Sequence, residues 1–377
     1  MLSESAKGSE SASPRVSESA KTLRVMIAGG GTGGHVVPAL AIGKALRDAH
    51  GADVRYVGTA RGIETKLVPE AGFRLELVRS GQLKNVSLKT RVRTMMDLPL
   101  GVLHCIGLMR EFRPQVVVGV GGYASGPAML AAVLLRIPCV AYEPNAVPGM
   151  TNRWIGKRVA GAAVSFAHTA QYFRGAEVTG VPVRQEIFEI APKISGAPRL
   201  LVTAGSNGAL IFNEVMPKIV ARLQREVPGL MIVHQSGVRR LELTREEFAA
   251  SGADLTRVDV EAFLTDMPAQ YAAADVVLAR AGSTVAELAA AGRPSVLVPL
   301  PTAADDHQRK NAEVFVEADA AVMLLQQDVT EETMFAVLHD LLTDADRRAA
   351  MGMKARSLAK PGALEKITAM VLRVAKR

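Results

Sequence analysis

Residues 279–311 read ARAGSTVAELAAAGRPSVLVPLPTAADDHQRKN, and the reading of the whole chain starts there. The apolar run Val276, Val277 and Leu278 just ahead of it predicts a buried parallel strand. A small-residue loop follows at Ala281, Gly282 and Ser283. Residues 284–291 have helix-forming composition, and Gly292 stands where a helix stops. A second strand at 295–298 leads to a polar loop carrying Asp305, Asp306, His307 and Gln308. A strand, a tight glycine turn and a helix start present several backbone N–H groups at one point, which suits phosphate. Glu287 falls one turn into that helix, where a carboxylate can accept both hydroxyls of a ribose. Gln308 reaches the same crevice from the carboxyl end of the next strand, where ligands sit in open α/β sheets.

Upstream, the same grammar repeats. Residues 24–28 predict a strand, residues 29–35 form the glycine loop GGGTGGH, and residues 36–49 have helical periodicity. Strand-like runs recur at 54–57, 75–78, 116–120, 138–142 and 161–164, with helix-like segments between most of them. That alternation predicts a parallel sheet covered by helices. Val181, Pro182 and Val183, and the Pro- and Gly-rich residues 191–198, predict a hinge. The pattern then restarts with a strand at 199–203, the loop AGSNGA at 204–209 and a helix at 210–225. Further strands are predicted at 231–235, 256–260, 276–279, 295–298 and 321–325, and the chain closes with two or three helices. The expected fold class is α/β: two doubly wound, Rossmann-like domains facing across a cleft. They span 23–190 and 198–360, and a C-terminal helix within 361–377 returns to the first.

Composition narrows the function. A chain of 377 residues suits two ordinary domains. The net charge of +8 is spread out, and aromatics make up only 4%, which argues against stacking on nucleic acid. An anionic substrate or membrane surface fits better. The cysteines, Cys105 and Cys139, offer no zinc spacing and no disulfide framework, which predicts a reducing, cytoplasmic compartment and core packing. Residues 1–22, rich in Ser, Ala, Glu and Lys with no apolar stretch, are expected to be a disordered extension. No run of residues is apolar enough to span a bilayer, since Asp97 and Pro99, and Arg136 and Pro138, break the best candidates.

The motifs exclude two classes. A nicotinamide enzyme needs an acid at the end of the second strand, but that strand ends Tyr56, Val57, Gly58, Thr59. There is no GxxxxGK[ST], which argues against a P-loop NTPase. His35 closes the first glycine loop and is placed to act as a base. The loop 121–126 follows a buried strand and should line the cleft. Glu143 ends an apolar run, where an unpaired carboxylate is costly, so it is expected to serve the site. Asp344 and Asp346 have the DxD spacing of some metal-binding transferases, but the surrounding residues predict a capped helix start.

Seven motifs then occur in an order that carries a resemblance. They are the loop 30–35; Gly121, Gly122 and Tyr123 with Ser125, Gly126 and Pro127; Glu143 with Asn145; Pro148 and Gly149 with Thr151, Asn152 and Arg153; Pro182, Val183 and Arg184; Gly205 and Ser206 with Gly208 and Ala209; and Asp306, His307 and Gln308 with Asn311 and Ala312. From Arg24 onward the chain resembles the MurG family, the N-acetylglucosaminyltransferases that convert lipid I to lipid II in peptidoglycan synthesis. The resemblance implies the GT-B architecture, UDP-N-acetylglucosamine as donor and lipid I, an undecaprenyl-diphosphate-linked acceptor, at the cytoplasmic face of the membrane. It implies an inverting transfer with no cofactor and no metal.

Residue by residue, the resemblance puts the donor on Ser206, Phe263, Leu264, Gly282, Ser283, Thr284, Glu287 and Gln308 of the second half. Thr32, Gly33, Gly34, Asn145 and Arg184 complete the donor site from the first. Gly31, Tyr123 and Ser125 would meet the acceptor, and His35 or Glu143 would be the base. The chain departs from the family at Ala204, Asn207, Tyr142, Pro144 and Val181, none of which is assigned to the donor. Two alternatives of the same layout are a UDP-N-acetylglucosamine 2-epimerase and a non-catalytic nucleotide-sugar-binding protein. The segment 83–113 sets Lys84, Lys89, Arg91 and Arg93 ahead of Met95, Met96, Leu98, Leu100, Val102 and Leu103, which predicts peripheral docking on an anionic membrane surface.

Overall fold

The computed structural model describes residues 22–81, 88–193, 195–205 and 207–376, with the helical backbone alone for 88–96. The expected extension lies almost wholly outside these residues, as do Lys84, Ser206 and the side chains of Lys89, Arg91, Arg93, Met95 and Met96.

The chain forms two parallel sheets. The first contains β1 (Arg24–Gly29), β2 (Asp53–Gly58), β3 (Arg74–Leu77), β4 (Val116–Gly121), β5 (Cys139–Glu143), β6 (Gly161–Val164) and β7 (Ala176–Val178), in the spatial order β3-β2-β1-β4-β5-β6-β7. The second contains β8 (Arg199–Thr203), β9 (Met231–Gln235), β10 (Val258–Glu261), β11 (Val276–Ala279), β12 (Ser295–Leu297) and β13 (Ala321–Met323), in the order β10-β9-β8-β11-β12-β13. Every recorded pairing is parallel. This is the GT-B arrangement of two Rossmann-like units.

Strand alternation gives each sheet two cores. In β1, Val25 and Ile27 pack with Ile42 and Leu46 of the helix Gly33–His50. Met26 and Ala28 point the other way, onto Val102, Met109 and Phe112 of the helix Leu88–Phe112. In β8, Leu200 and Val202 meet Phe212 and Met216, while Leu201 faces Leu288 and Phe315. Each fully buried aliphatic side chain contributes about 1.5–3 kcal/mol. Both cysteines are buried and free, and burial pushes each thiol up to about 12.

The last helix, Ala363–Ala375, does not stay with the second sheet. Its Ile367, Met370, Val371 and Val374 are buried with Val25, Val118 and Val140 of the first. The chain therefore crosses between the halves twice. Three local expectations are corrected. The edge strand β7 has no counterpart in the sequence reading, because it has only 3 residues, Ala-Glu-Val. The strand expected from residue 256 begins at Val258, because Asp254 caps a 3-10 turn, Leu255–Arg257, through the Thr256 amide at 3.0 Å. Residues 305–308 are not a loop: a 3-10 turn, Ala304–Asp306, runs directly into the helix His307–Glu317.

Candidate active site

The strand order creates two crevices. In each sheet the order reverses beside its first strand, between β1 and β4 and between β8 and β11. Ligands of open α/β sheets bind outside the carboxyl ends of the strands at such a point. The first glycine loop leaves β1 and the second leaves β8, so each stands at a switch point.

On the first sheet, Thr32 is the extended N-cap of the helix Gly33–His50, and Gly33 and Gly34 begin its first turn. Gly31 adopts φ 94°, a left-handed conformation that favours glycine. His35 also lies in that first turn. Its Nδ1 is 2.9 Å from the Val120 carbonyl oxygen. A carbonyl only accepts, so Nδ1 carries the proton and Nε2 keeps its lone pair. The ring sits so close to β4 that a Cβ at Gly121 would stand 2.7 Å from its Cε1. Burial holds the imidazole below its ordinary range; the Val120 bond and Glu64 oppose this, and His307 from the other half adds to it. Tyr123 is exposed, and its carbonyl accepts from the Ser80 hydroxyl at 2.6 Å. Ser125 is fully buried where its helix starts, so its side chain does not reach the crevice.

Glu143, at the end of β5, is also buried. One oxygen accepts from the main-chain and side-chain nitrogens of Asn145, both at 3.1 Å. The other accepts from the Gly149 amide at 3.0 Å and from Asn152 Nδ2 at 2.9 Å. Burial raises its pKa, and these donors oppose the shift. Both oxygens are thus engaged in shaping the loop 144–149.

On the second sheet, Gly205 and Gly208 take φ 69° and 68° on either side of Ser206 and Asn207. Across β11, Gly282 and Ser283 lead into the helix Thr284–Ala291. Glu287 is half-buried in that helix, and its Oε2 accepts from the Tyr271 hydroxyl at 2.8 Å. Burial raises its pKa, while the Tyr271 bond and the charge of Arg184 oppose the rise. The charge of Arg184 acts on Tyr271 in the same sense. Phe263 is half-exposed. Leu264 packs in the core with Ile187 and Tyr271, so only its main chain is available to a ligand. Gln308 lies in the first turn of its helix. Its Oε1 accepts from the Leu300 amide at 3.0 Å, and its Nε2 lies 3.8 Å from where a Cβ on Gly282 would stand.

Polar contacts bridge the two halves. Asn311 Nδ2 donates to Asn145 Oδ1 at 3.2 Å and to the Ala281 carbonyl at 3.0 Å. Asn311 Oδ1 accepts from the Ala146 amide at 2.8 Å. Arg153 pairs with Asp305 at 2.9 Å. Asp344 caps the helix Ala345–Ser357 through the Arg347 amide at 2.8 Å. Among the described residues no group of three or more His, Cys, Asp or Glu stands ready for a metal. No local sequence pattern marks a role for Glu64 or Tyr271 in the site. Asn311 has a signal, its place in the 306–312 motif.

Comparison with known proteins decides the family. The glycosyltransferase family 28 N-terminal domain matches residues 25–164, and the family 28 C-terminal domain matches residues 199–367. A UDP-N-acetylglucosamine--N-acetylmuramyl-(pentapeptide) pyrophosphoryl-undecaprenol N-acetylglucosamine transferase from Solibacter usitatus is 42% identical over 355 residues, covering 93% of this chain and 96% of that protein. The crystal structure of Acinetobacter baumannii MurG superposes with a TM-score of 0.79 at 31% identity, covering 93% of this chain and 99% of that one.

The chain belongs to the MurG family.

Its resemblance to that family thus extends to sequence and fold alike. The like-named transferase of Shewanella oneidensis is 38% identical, over 94% of this chain and 98% of its own length. A UDP-N-acetylglucosamine 2-epimerase superposes with a TM-score of 0.65 over 95% of this chain and 98% of that one, but at 16% identity. That likeness shows the shared fold alone, whereas the MurG relatives match in sequence over nearly the whole chain.

Proposed function

We propose that this MurG-family chain is an inverting glycosyltransferase that moves N-acetylglucosamine from UDP-N-acetylglucosamine to the 4-hydroxyl of the N-acetylmuramic acid of lipid I, giving lipid II. The observation that carries this reading is the near-full-length identity of 42% to a transferase named for that reaction. Each half has a glycine loop at its switch point, and these supply a place for each substrate.

The donor lies mainly on the second half. Glu287, with one oxygen steadied by Tyr271, accepts the ribose hydroxyls through the other. Phe263 and the main chain of Leu264 flank the uracil. The amides of the Ser206 loop and of Gly282, Ser283 and Thr284 meet the diphosphate, with Arg184 nearby. Gln308 turns its amide nitrogen toward the sugar. Thr32, Gly33, Gly34 and Asn145 close the site from the first half. Gly31 and Tyr123 face the acceptor.

Reaction begins when the acceptor hydroxyl attacks the anomeric carbon from the face opposite UDP. The C–O bond to the diphosphate breaks as the new bond forms, which inverts the α-linked donor to a β-linkage. His35 takes the hydroxyl proton on Nε2, the nitrogen left with its lone pair by the Val120 bond. Glu143 is the poorer base because four donors already hold its carboxylate. Oriented amides and Arg184 stabilise the departing diphosphate, so the transfer proceeds without a metal.

The enzyme acts peripherally at the cytoplasmic face of the membrane. No helix among the described residues is long and apolar enough to cross a bilayer. The helix Leu88–Phe112 buries Val102, Cys105 and Met109 but leaves Leu100 and Leu103 exposed. Leu130 and Leu134 are exposed on the helix packed against it. The test of the function is transfer of radiolabel from UDP-N-acetylglucosamine to a lipid I analogue, with and without a chelator. Label in the lipid product under both conditions supports the reading, and label released only as free sugar refutes it.

A further inference from the structure

Glu64 is a buried acid to which the transfer, as proposed, gives no role. It is 1% exposed at the start of the helix Glu64–Glu70. One carboxylate oxygen accepts from the Gly31 amide at 2.8 Å. The other accepts from the main-chain nitrogen and the hydroxyl of Thr59, both at 2.9 Å. Thr59 directly follows β2, and Gly31 lies in the loop after β1, so this carboxylate spans the ends of two neighbouring strands. Three glycines make room for it. A Cβ at Gly30 would stand 2.1 Å from its Oε1, one at Gly62 1.8 Å from its Oε2 and one at Gly58 2.7 Å from its Cγ. A carboxylate buried this deeply is costly unless its bonds are made, and all the bonds recorded here run to the glycine loop or to Thr59.

The expectation that no acid stands at the end of β2 therefore holds for the sequence but not for the space. In a dinucleotide-binding unit an acid there accepts ribose hydroxyls. Here the equivalent space is filled by Glu64, whose oxygens are turned inward to the protein's own amides. The first half keeps the nucleotide-binding topology but uses the acid to build the loop.

We propose that Glu64 is a positioning residue for the transfer: its carboxylate fixes Gly31 in its left-handed turn, sets the helix start that carries His35, and brings a negative charge to the loop that leads into that imidazole. The proposal rests on the reading of His35 as the base. Glu64 and His307 are the titratable side chains that act on His35, beside its bond to the Val120 carbonyl. The charge of Glu64 favours the imidazolium that forms when the acceptor hydroxyl gives up its proton.

The experiment compares Glu64→Gln, Glu64→Asp and His35→Ala in the full chain, using a short-chain lipid I analogue. Glu64→Gln keeps the volume but removes the charge and one acceptor. Its turnover should fall about 10- to 100-fold, as for a misplaced catalytic group, with UDP affinity changed far less, because UDP lies mainly on the second half. The acid limb of its kcat/KM for acceptor should move to lower pH. Glu64→Asp keeps the charge on a shorter arm, so its turnover should fall while the acid limb stays at the wild-type pH. It decides the matter if Glu64→Gln loses UDP binding and has not folded. Wild-type turnover in Glu64→Gln, or a fall with an unmoved acid limb, overturns the proposal. An active His35→Ala refutes the base, whereas an inactive His35→Ala beside a fully active Glu64→Gln refutes the role of Glu64 alone.

Discussion

Asn311, on a helix of the second half, donates to the side-chain oxygen of Asn145, on a loop of the first, at 3.2 Å. The same amide donates to the Ala281 carbonyl, next to the proposed phosphate loop, and accepts from the Ala146 amide. Asn145 in turn donates to Glu143. One buried chain of hydrogen bonds thus connects the loop that follows β5 to the loop that follows β11. Asn311→Asp keeps the shape and loses both donors. Leaving such acceptors unpaired costs about 1–3 kcal/mol, so turnover should drop by roughly one to two decades while UDP affinity changes less. Titration calorimetry with UDP, set beside steady-state kinetics, measures both. Equal losses in both would mean that Asn311 serves only the donor.

Glu287 and Tyr271 make a graded pair. Glu287→Ala should weaken UDP by about 2–3 kcal/mol, the loss of charge-assisted bonds to the ribose. Tyr271→Phe removes only the bond that steadies the carboxylate, and should cost about 0.5–1.5 kcal/mol. Wild-type UDP affinity in a folded Glu287→Ala protein would remove Glu287 from the donor site.

Much of this arrangement is legible in the sequence, and what is not has a common cause. Periodicity and punctuation locate β8, β11 and the helix Thr284–Ala291 almost to the residue, because each is a local pattern closed by a glycine. Glycine loops after β1 and β8 mark both crevices for the same reason. The sequence predicts a loop around Gln308, but the residues there form a helix, because the left-handed Asp305 and Asp306, both at φ 55°, turn the chain straight into it. Glu64, Tyr271 and the burial of Ser125 and Leu264 depend on partners distant in sequence. No spacing rule reaches from residue 64 to 31 or from 271 to 287.

As the proposed base, His35 should carry the pH dependence. Its folded pKa lies below the ordinary value, with burial as the main cause, so the neutral, competent form prevails at neutral pH. Activity should fall only as the pH drops through that lowered pKa, below about 6.5. The same sign applies to stability: the contribution of His35 is present above its unfolded pKa and lost as pH falls. His35→Ala should reduce turnover about 10²- to 10⁴-fold and leave UDP binding intact. An acid limb that persists in residual His35→Ala activity would assign it to another group.

The membrane reading predicts two separable losses. Reversal of Lys89, Arg91 and Arg93 to Glu should weaken binding to anionic vesicles by several orders of magnitude, at about 1 kcal/mol for each basic charge removed and a like amount for each acid added. Leu100→Gln with Leu103→Gln should weaken binding to neutral vesicles too, since these side chains supply apolar contact. Activity on a soluble short-chain acceptor should survive in both variants. Sedimentation with vesicles of stated charge reads the outcome, and unchanged binding in both would place the docking surface elsewhere.

Transfer to an acceptor hydroxyl with inversion leaves its mark on the anomeric configuration of the product. The purified chain is incubated with UDP-N-acetylglucosamine and a lipid I analogue, UDP release is followed, and the new glycosidic linkage is read by proton NMR. An inverting transfer gives acceptor-dependent UDP release and a β-linked disaccharide on the lipid. An α-linkage, or a donor isomerised or hydrolysed at the same rate without acceptor, would contradict it.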